Sequence, residues 1–356
     1  MQATSYSYSA GNFSNTLLKA TLQGLQYDGS YFYRVGGPTF GWSSVIPYRH
    51  KPKPGTTDTV KFLSYGDAGI AWSDGTNDYV SKDAATGEYS LLVNVGDISY
   101  ANDYGATNNS WVNDEFFRRA QPYASRVPYM TAPGNHDSQF DFAAYLNRSI
   151  MPQQGSGPLS RFYYSFDWGP VHFLSFSTEH TFETGGEQWQ FIKDDLERTA
   201  SRRHITPWVV VWGHRPLYCT DLITWKSRCV QEATQYREWL EGLFHQYHVD
   251  AYLCGHNHQL EYTKPVFNET QVDSSYHNAR GTVYIVNGAA GDKEGIDPTF
   301  MPGDIPWRQW TSSLSLHTAY TRVTANQTAL SWEFVDSDTG KIANSFTMSK
   351  DEEPVL

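Results

Sequence analysis

The sequence is short of cysteine, of long apolar runs and of basic charge, and each shortage excludes something. Three cysteines in 356 residues supply no thiolate set, so neither a zinc finger nor an iron–sulfur site is expected. No apolar stretch reaches the ~20 residues that a membrane span needs. Met1 is followed by Gln2, Ala3, Thr4 and Ser5, so no hydrophobic signal segment is present. The start reads as a boundary, with any targeting segment removed or upstream. The formal net charge is −11, which repels nucleic acid and anionic membrane. It also repels phosphate esters at long range. A phosphate enzyme with this charge needs a concentrated local positive centre, and metal ions can provide one.

The length exceeds one average domain, so one large domain and a small one are expected. Residues 1–50 read as β. Leu22, Leu25, Tyr31, Tyr33 and Val35 give period-two patterning around the Asp28-Gly29 turn. Residues 51–59 form a linker by composition, with two prolines, a glycine and polar neighbours. From Val60 onward, apolar runs at 60–65, 90–95, 128–132, 171–177, 208–212 and 251–254 alternate with helical stretches. Over 188–199, Trp189, Ile192 and Leu196 share a face; over 235–248, Tyr236, Leu240, Leu243 and Phe244 share another. Strands separated by helices predict an α/β layered domain over 60–350. The tail from 317 to 348 reads again as antiparallel strands.

Five of the apolar runs end directly in polar clusters: Gly66-Asp67-Ala68-Gly69, Gly96-Asp97-Ile98-Ser99-Tyr100, Gly134-Asn135-His136-Asp137, Gly213-His214 and Gly255-His256-Asn257-His258. Sites in layered α/β folds form at the carboxyl ends of strands, so five such clusters can converge on one crevice. The glycines are expected to let the chain turn sharply as it leaves each strand. Alone, a Gly-Asp after a strand is usually a turn, and an Asn-His a cap or loop. Together, the five offer Asp, Tyr, Asn and His, a set of oxygen and nitrogen ligands.

Asn12, Asn108, Asn147, Asn268 and Asn326 each open an N-x-S/T acceptor. One such tripeptide arises by chance, but several along one chain favour a secreted or lysosomal-type location. In an oxidising compartment Cys219 and Cys229 could close the polar loop between them as a disulfide, the alternative being that all three cysteines stay reduced. Cys254, ending an apolar run, reads as a buried thiol.

The set GDxG, GDxxY, GNHD, VxxH and GHxH, at Gly66, Gly96, Gly134, Val211 and Gly255, resembles the purple acid phosphatase signature. Flanking stretches at 186–196, 206–216 and 284–295 are similar to the family too. The likeness covers about residues 60–348. The resemblance implies a metallophosphoesterase sandwich with flanking helices. The segment before it resembles the tyrosine-corner half of a fibronectin type III module, truncated and structural in role. The wider superfamily usually has Asp-x-His in its first motif. Here the third position is Gly69, and Tyr100, three residues after Asp97, stands in for the histidine.

By this resemblance Asp67, Asp97, Tyr100 and His258 hold a ferric ion, and Asp97, Asn135, His214 and His256 hold a divalent Fe, Zn or Mn, with Asp97 bridging. Two aspartates and a phenolate against those cations leave the positive centre that the acidic surface requires. A metal-held hydroxide would attack the phosphorus of a small monoester in line. His136, beside a ligand, would bind the transition state or act as general acid, its structural alternative being a buried supporting histidine. Plant members carry further histidines after the fourth motif. Between His214 and Glu232 this chain has none, and offers Arg215, Tyr218, Lys226 and Arg228 for substrate contact instead. The runner-up reading is a phosphodiesterase or nucleotide pyrophosphatase on the same scaffold. A metal-bearing adhesion protein is the reading from another class.

Overall fold

The computed structural model describes residues 1–10, 16–222, 228–296, 299–313 and 316–351. Among the described residues after the linker there are thirteen main strands and five α-helices. In chain order these are β1 (Val60–Tyr65), α1 (Asp74–Ala85), β2 (Tyr89–Asn94), α2 (Asn109–Ala124), β3 (Tyr129–Thr131) and α3 (Gln139–Arg148). Then come β4 (Tyr164–Trp168), β5 (Val171–Ser175), α4 (Glu187–Ala200), β6 (Trp208–Trp212), α5 (Arg228–Gln246) and β7 (Ala251–Cys254). The last are β8 (Leu260–Thr263), β9 (Val283–Asn287), β10 (Arg308–Thr311), β11 (Ala319–Ala325), β12 (Ala329–Asp336) and β13 (Ile342–Ser349).

Two mixed sheets result. The first has six strands in the order β13-β12-β11-β1-β2-β3, and the second has seven in the order β4-β5-β6-β7-β9-β8-β10. β1, β2 and β3 run parallel, as do β5, β6, β7 and β9. Alternation along one strand sets the layers. On β6, Trp208, Val210 and Trp212 join Phe62, Phe173 and Trp332 in the core between the sheets, while Val209 and Val211 join the cluster under α4 and α5. The rings of Phe62 and Phe173 meet edge to face at 5.1 Å across that interior. On the other side, Leu63, Leu92 and Val335 pack under Val80 of α1 and Phe116 of α2. The molecule is therefore a mixed α/β helix–sheet–sheet–helix stack, as the resemblance implies.

All six expected apolar runs are strands, with ends shifted by up to two residues. α5 starts seven residues before the expected 235 because Cys229 and Ala233 pack in a small cluster with Cys219 and extend its apolar face. β4, β8, β9 and β10 were not anticipated as strands. Among the described residues no helix is long and apolar enough to cross a membrane.

The described part of the first fifty residues forms separate β ribbons. Thr4–Tyr6 pairs with Leu17–Lys19, Ser30–Tyr33 with Ile46–Arg49, and Gly36–Gly37 with Gly41–Trp42. Tyr31 and Tyr33 are half-buried as the alternation predicts, whereas Leu22 and Val35 are exposed. The Tyr31 hydroxyl accepts from the Gln26 amide at 2.8 Å.

Candidate metal centre

Five strand-end loops meet at one end of the sandwich. Asp67 follows β1, Asp97 and Tyr100 follow β2, Asn135 and His136 follow β3, His214 follows β6, and His256 and His258 follow β7. Parallel pairing within each sheet puts these ends on the same side, and face-to-face packing brings the two rows together.

The loops are held in conformations that side chains rarely adopt. Asp67, Asp97, Tyr100 and His256 have φ of 60°, 50°, 56° and 68°. Left-handed backbone at a non-glycine residue costs on the order of 1–3 kcal/mol and clusters at working sites. The motif glycines serve two ends. Gly96 turns the chain, with φ of 106°. Gly134 and Gly255 instead leave room: a Cβ there would lie 2.2 Å from Asp97 Oδ1 and 2.1 Å from Asp67 Oδ2. Close approach of a carboxylate, rather than a sharp turn, explains these two.

The side chains form two groups. In the first, the Tyr100 hydroxyl lies 2.9 Å from Asp67 Oδ1 and 2.8 Å from His258 Nε2, and His258 Nε2 lies 3.5 Å from Asp67 Oδ1. The Gly295 carbonyl, 2.8 Å from His258 Nδ1, accepts a hydrogen bond from that nitrogen and leaves Nε2 facing the group. In the second, His214 Nε2 lies 2.9 Å from Asp97 Oδ2 and 3.2 Å from Asn135 Oδ1, and the Val95 carbonyl sits 3.1 Å from His214 Nδ1. His256 completes a cluster with Asp97 and His214 whose donor atoms lie within 4.8 Å of one another. The His256 amide donates to Asp67 Oδ2 at 3.0 Å, tying the two groups together. Asp67, Asp97, His214 and His258 are almost wholly buried.

The electrostatics call for cations. Burial, then the charges of Asp67, Asp97, Asp292 and Glu294, drives the Tyr100 phenol far above its ordinary pKa. A phenol so placed ionises only when compensating positive charge sits beside it. Burial opposes ionisation of Asp97, but His214 and His136 outweigh it and hold the carboxyl well below the usual range. Burial and Asp97 push Asp137 up to about 7. Asp137 accepts from the Ile98 and Gly134 amides at 3.2 and 2.9 Å, and so couples the second loop to the third.

His136 stands at the edge of both groups. Its amide donates to Asp97 Oδ1 at 2.7 Å, and its ring lies 4.2 Å from the Tyr100 ring. Nδ1 faces Asn102 Oδ1 at 3.0 Å and Asp103 Oδ1 at 3.1 Å, while Nε2 is 3.6 Å from Glu294 Oε1. Burial lowers its pKa, but Asp97 and then Asp103 raise it to about 9.

The loop candidates divide. Arg215 reaches the site, its Nη1 being 3.3 Å from His256 Nε2, and is clamped by Glu179 at 2.9 and 3.1 Å and Glu232 at 2.8 Å. Tyr218 does not join it: the ring is buried and its hydroxyl donates to Glu241 at 2.5 Å. Lys226 and the Arg228 side chain lie outside the described residues, as does Asn12. Asn108 and Asn268 are exposed, Asn147 and Asn326 half-buried. Cys219 and Cys229 are joined as a disulfide with Cα atoms 6.4 Å apart, and Cys254 is buried and free. Sequence reasoning missed Asp103, Asp292 and Glu294. Only the family-like stretch ending at 295 hinted at the last two.

Comparison with known proteins places this arrangement. Residues 55–260 match the family model described as calcineurin-like phosphoesterase, and residues 281–345 that described as iron/zinc purple acid phosphatase-like protein C. Acid phosphatase type 7 of Mus musculus is 32% identical over 309 residues, covering 81% of this chain and 67% of its own. A nucleotide pyrophosphatase/phosphodiesterase of Hordeum vulgare is 27% identical, covering 88% and 90%. The solved purple acid phosphatase PPD1 from yellow lupin (Lupinus luteus) seeds superposes with a TM-score of 0.81 at 25% identity, over 98% of this chain and 66% of that one. The chain thus spans about two thirds of the length of the mouse and lupin proteins.

Proposed function

Because the chain belongs to the purple acid phosphatase family, a family of metal-dependent phosphoester hydrolases, we propose that it hydrolyses phosphate monoesters at a dinuclear Fe(III)–M(II) centre. The observation that carries this reading is Asp97. Its carboxylate sits in the group with an amide oxygen and two histidines, 2.9 Å from His214 Nε2, and its charge also acts on the Tyr100 phenol of the other group. The donors are hard oxygens and imidazole nitrogens, which suit iron, zinc or manganese. Asp67, Tyr100 and His258 would hold the ferric ion, Asn135, His214 and His256 the divalent one, and Asp97 both. When bound, such a pair supplies Lewis acidity and lowers the pKa of water.

The chain's own groups do the rest. Arg215 keeps a guanidinium beside His256, held in place by Glu179 and Glu232. His136 is placed to hold a proton at Nε2 for the departing oxygen, with Asp103 fixing Nδ1. The four described glycosylation acceptors and the Cys219–Cys229 pair support a secretory or lysosomal-type compartment. Residues 1–50 serve as a structural, partial fibronectin type III-like module ahead of a 51–59 linker and a 60–350 catalytic unit. The likeness to the Hordeum vulgare nucleotide pyrophosphatase/phosphodiesterase favours a second reading, diester or pyrophosphate hydrolysis at the same residues.

Elemental analysis of the purified protein should find about two metals per chain, iron among them when it is supplied. Tyr100→Phe should remove the phenolate-to-iron visible band and leave the circular dichroism unchanged. An iron-loaded variant with the same band overturns the assignment of Tyr100. Faster turnover of bis-esters than of monoesters by the wild type would favour the second reading.

A further inference from the structure

Trp72 is a large apolar side chain that the fold leaves exposed at the rim of the metal centre, with 59% of its surface accessible. It lies in the short loop between Asp67 and α1, on a rigid support. The Ser73 hydroxyl donates to the Gly69 carbonyl at 3.0 Å, and the Asn77 side chain donates to Ser73 Oγ at 3.1 Å. The loop 291–295 presses against it from the other side. A Cβ on Gly291 would fall 2.6 Å from the Trp72 carbonyl oxygen, and one on Gly295 only 3.3 Å from the edge of the indole ring.

That contact fixes where the ring sits relative to the chemistry. Gly295 is the residue whose carbonyl faces His258 Nδ1 at 2.8 Å. Its neighbour Glu294 lies 3.6 Å from His136 Nε2 and 3.9 Å from His258 Nε2. The indole therefore flanks the centre on the side of His136, where the ester oxygen departs. On that side three carboxylates, Asp103, Asp292 and Glu294, stand against one lysine, Lys293, 3.8 Å from Asp103 Oδ2, so acidic side chains outnumber basic ones and an anionic leaving group is disfavoured. A flat, uncharged one is accommodated, and an exposed indole offers it a stacking face.

We propose that Trp72 is the platform for the leaving group, selecting phosphate monoesters whose alcohol carries an aromatic ring, either an aryl group or a nucleoside. This rests on the phosphatase reading and adds the substrate class to it. No chemistry is assigned to the ring. It binds the departing alcohol and leaves the reacting atoms to the centre.

The test compares Trp72→Ala and Trp72→Phe with the wild type on adenosine 5′-monophosphate, phenyl phosphate and ethyl phosphate. Loss of base–aromatic stacking should raise KM for the two aromatic esters about five- to twentyfold in Trp72→Ala, with kcat within about twofold. Ethyl phosphate should be unaffected, and Trp72→Phe should restore most of the loss. A KM effect on adenosine monophosphate alone identifies the nucleoside as the preferred group, and equal effects identify any aryl ring. Calorimetric titration with free adenosine and with phenol supplies a second readout that needs no turnover. If the wild type turns over none of the esters but binds adenosine through Trp72, the phosphatase reading falls and the platform stands. If turnover is normal and all three esters respond alike, or none responds, the platform is overturned.

Discussion

The strand-end loops of the catalytic layers and the ribbons of residues 1–50 are built from similar polar and aromatic residues, yet they behave oppositely. In the loops, Asp67, Asp97, Tyr100, His214 and His258 are buried with left-handed backbone at several positions. In the ribbons, Ala10 is the one buried hydrophobic residue among those described, and Phe32, Phe40 and Trp42 are exposed. The loops are anchored by two sheets whose strands are closed over on both faces. Each ribbon has two strands with exposed residues along them, and a two-stranded unit alone is marginal in water. The ribbons hold to the body through tyrosines. Tyr33 donates to the Ser125 carbonyl at 2.5 Å, Tyr6 to that of Asn147 at 2.6 Å, and Arg148 donates to Tyr8 at 2.7 Å. Strain and buried charge persist only where the surrounding packing is deep enough to hold them.

The sharpest way to separate the loops from their support is His136→Ala. It removes a side chain at the rim without touching either sheet. We expect both metals and the visible spectrum to be retained. Activity on an alkyl phosphate should fall ~10²–10⁴-fold, and far less on an activated aryl phosphate whose leaving group needs no proton. Equal losses on both substrates would assign His136 to phosphate binding alone. Loss of metal would make it structural.

A smaller effect probes the wall that carries the loops. His172 of β5 is buried between Asp167 of β4, 2.7 Å from Nδ1, and Asp195 of α4, 2.7 Å from Nε2. Arg202 and Arg198 face the same two carboxylates at 2.8 and 2.6 Å, and Ser165 donates to Asp195 at 2.7 Å. Burial lowers the His172 pKa, but Asp167 and Asp195 outweigh it and hold the imidazole above its usual value. Burial opposes ionisation of Asp167, while His172 and Arg202 hold it below the carboxylate range. The raised histidine contributes fully below its unfolded value of ~6.5 and loses that contribution as pH rises through its folded value. The depressed aspartate contributes above ~3.9 and loses it as pH falls through its folded value. The clamp is therefore strongest in mild acid. His172→Gln should cost about 1.5–3 kcal/mol there, the range for hydrogen bonds to charged groups, and less in alkaline buffer. Thermal melts from pH 5 to 9 with equal losses throughout would reject the clamp.

The smallest effect belongs to the ribbons. Tyr33→Phe deletes one hydrogen bond to Ser125, the residue that caps the end of α2, and should lower stability by only about 1 kcal/mol, with turnover unchanged. Limited proteolysis should then cut residues 1–50 sooner than the rest. A large loss of activity would mean that the ribbons support the centre, and the contrast drawn above would fail.

Much of this was legible along the chain. Val60–Tyr65, Trp208–Trp212 and Ala251–Cys254 read as strands because continuous apolar runs of that length, ending in Gly-Asp or Gly-His, suit strands buried on both faces. The Arg308–Thr311 strand was missed because its mixed polar sequence carries no period, and it is a strand only because β8 pairs with it. Tyr218 read as a substrate contact since a tyrosine in a polar loop looks available. In the fold it lies beneath Arg237, 4.6 Å from the ring, and is sealed in.

The sequence by itself determined which donors this protein owns, the order in which they leave their strands, and the excess negative charge that makes cations necessary, because those are properties of residue type and spacing. The tertiary structure decided which of them meet. It split the strands into two sheets and packed the sheets so that the ends of β1–β3 face the ends of β6 and β7. It brought Asp103 and Glu294, 191 positions apart in the numbering, to either side of one imidazole. Contacts over such separations come from layer packing, a collective property of many buried side chains, and no local pattern encodes them.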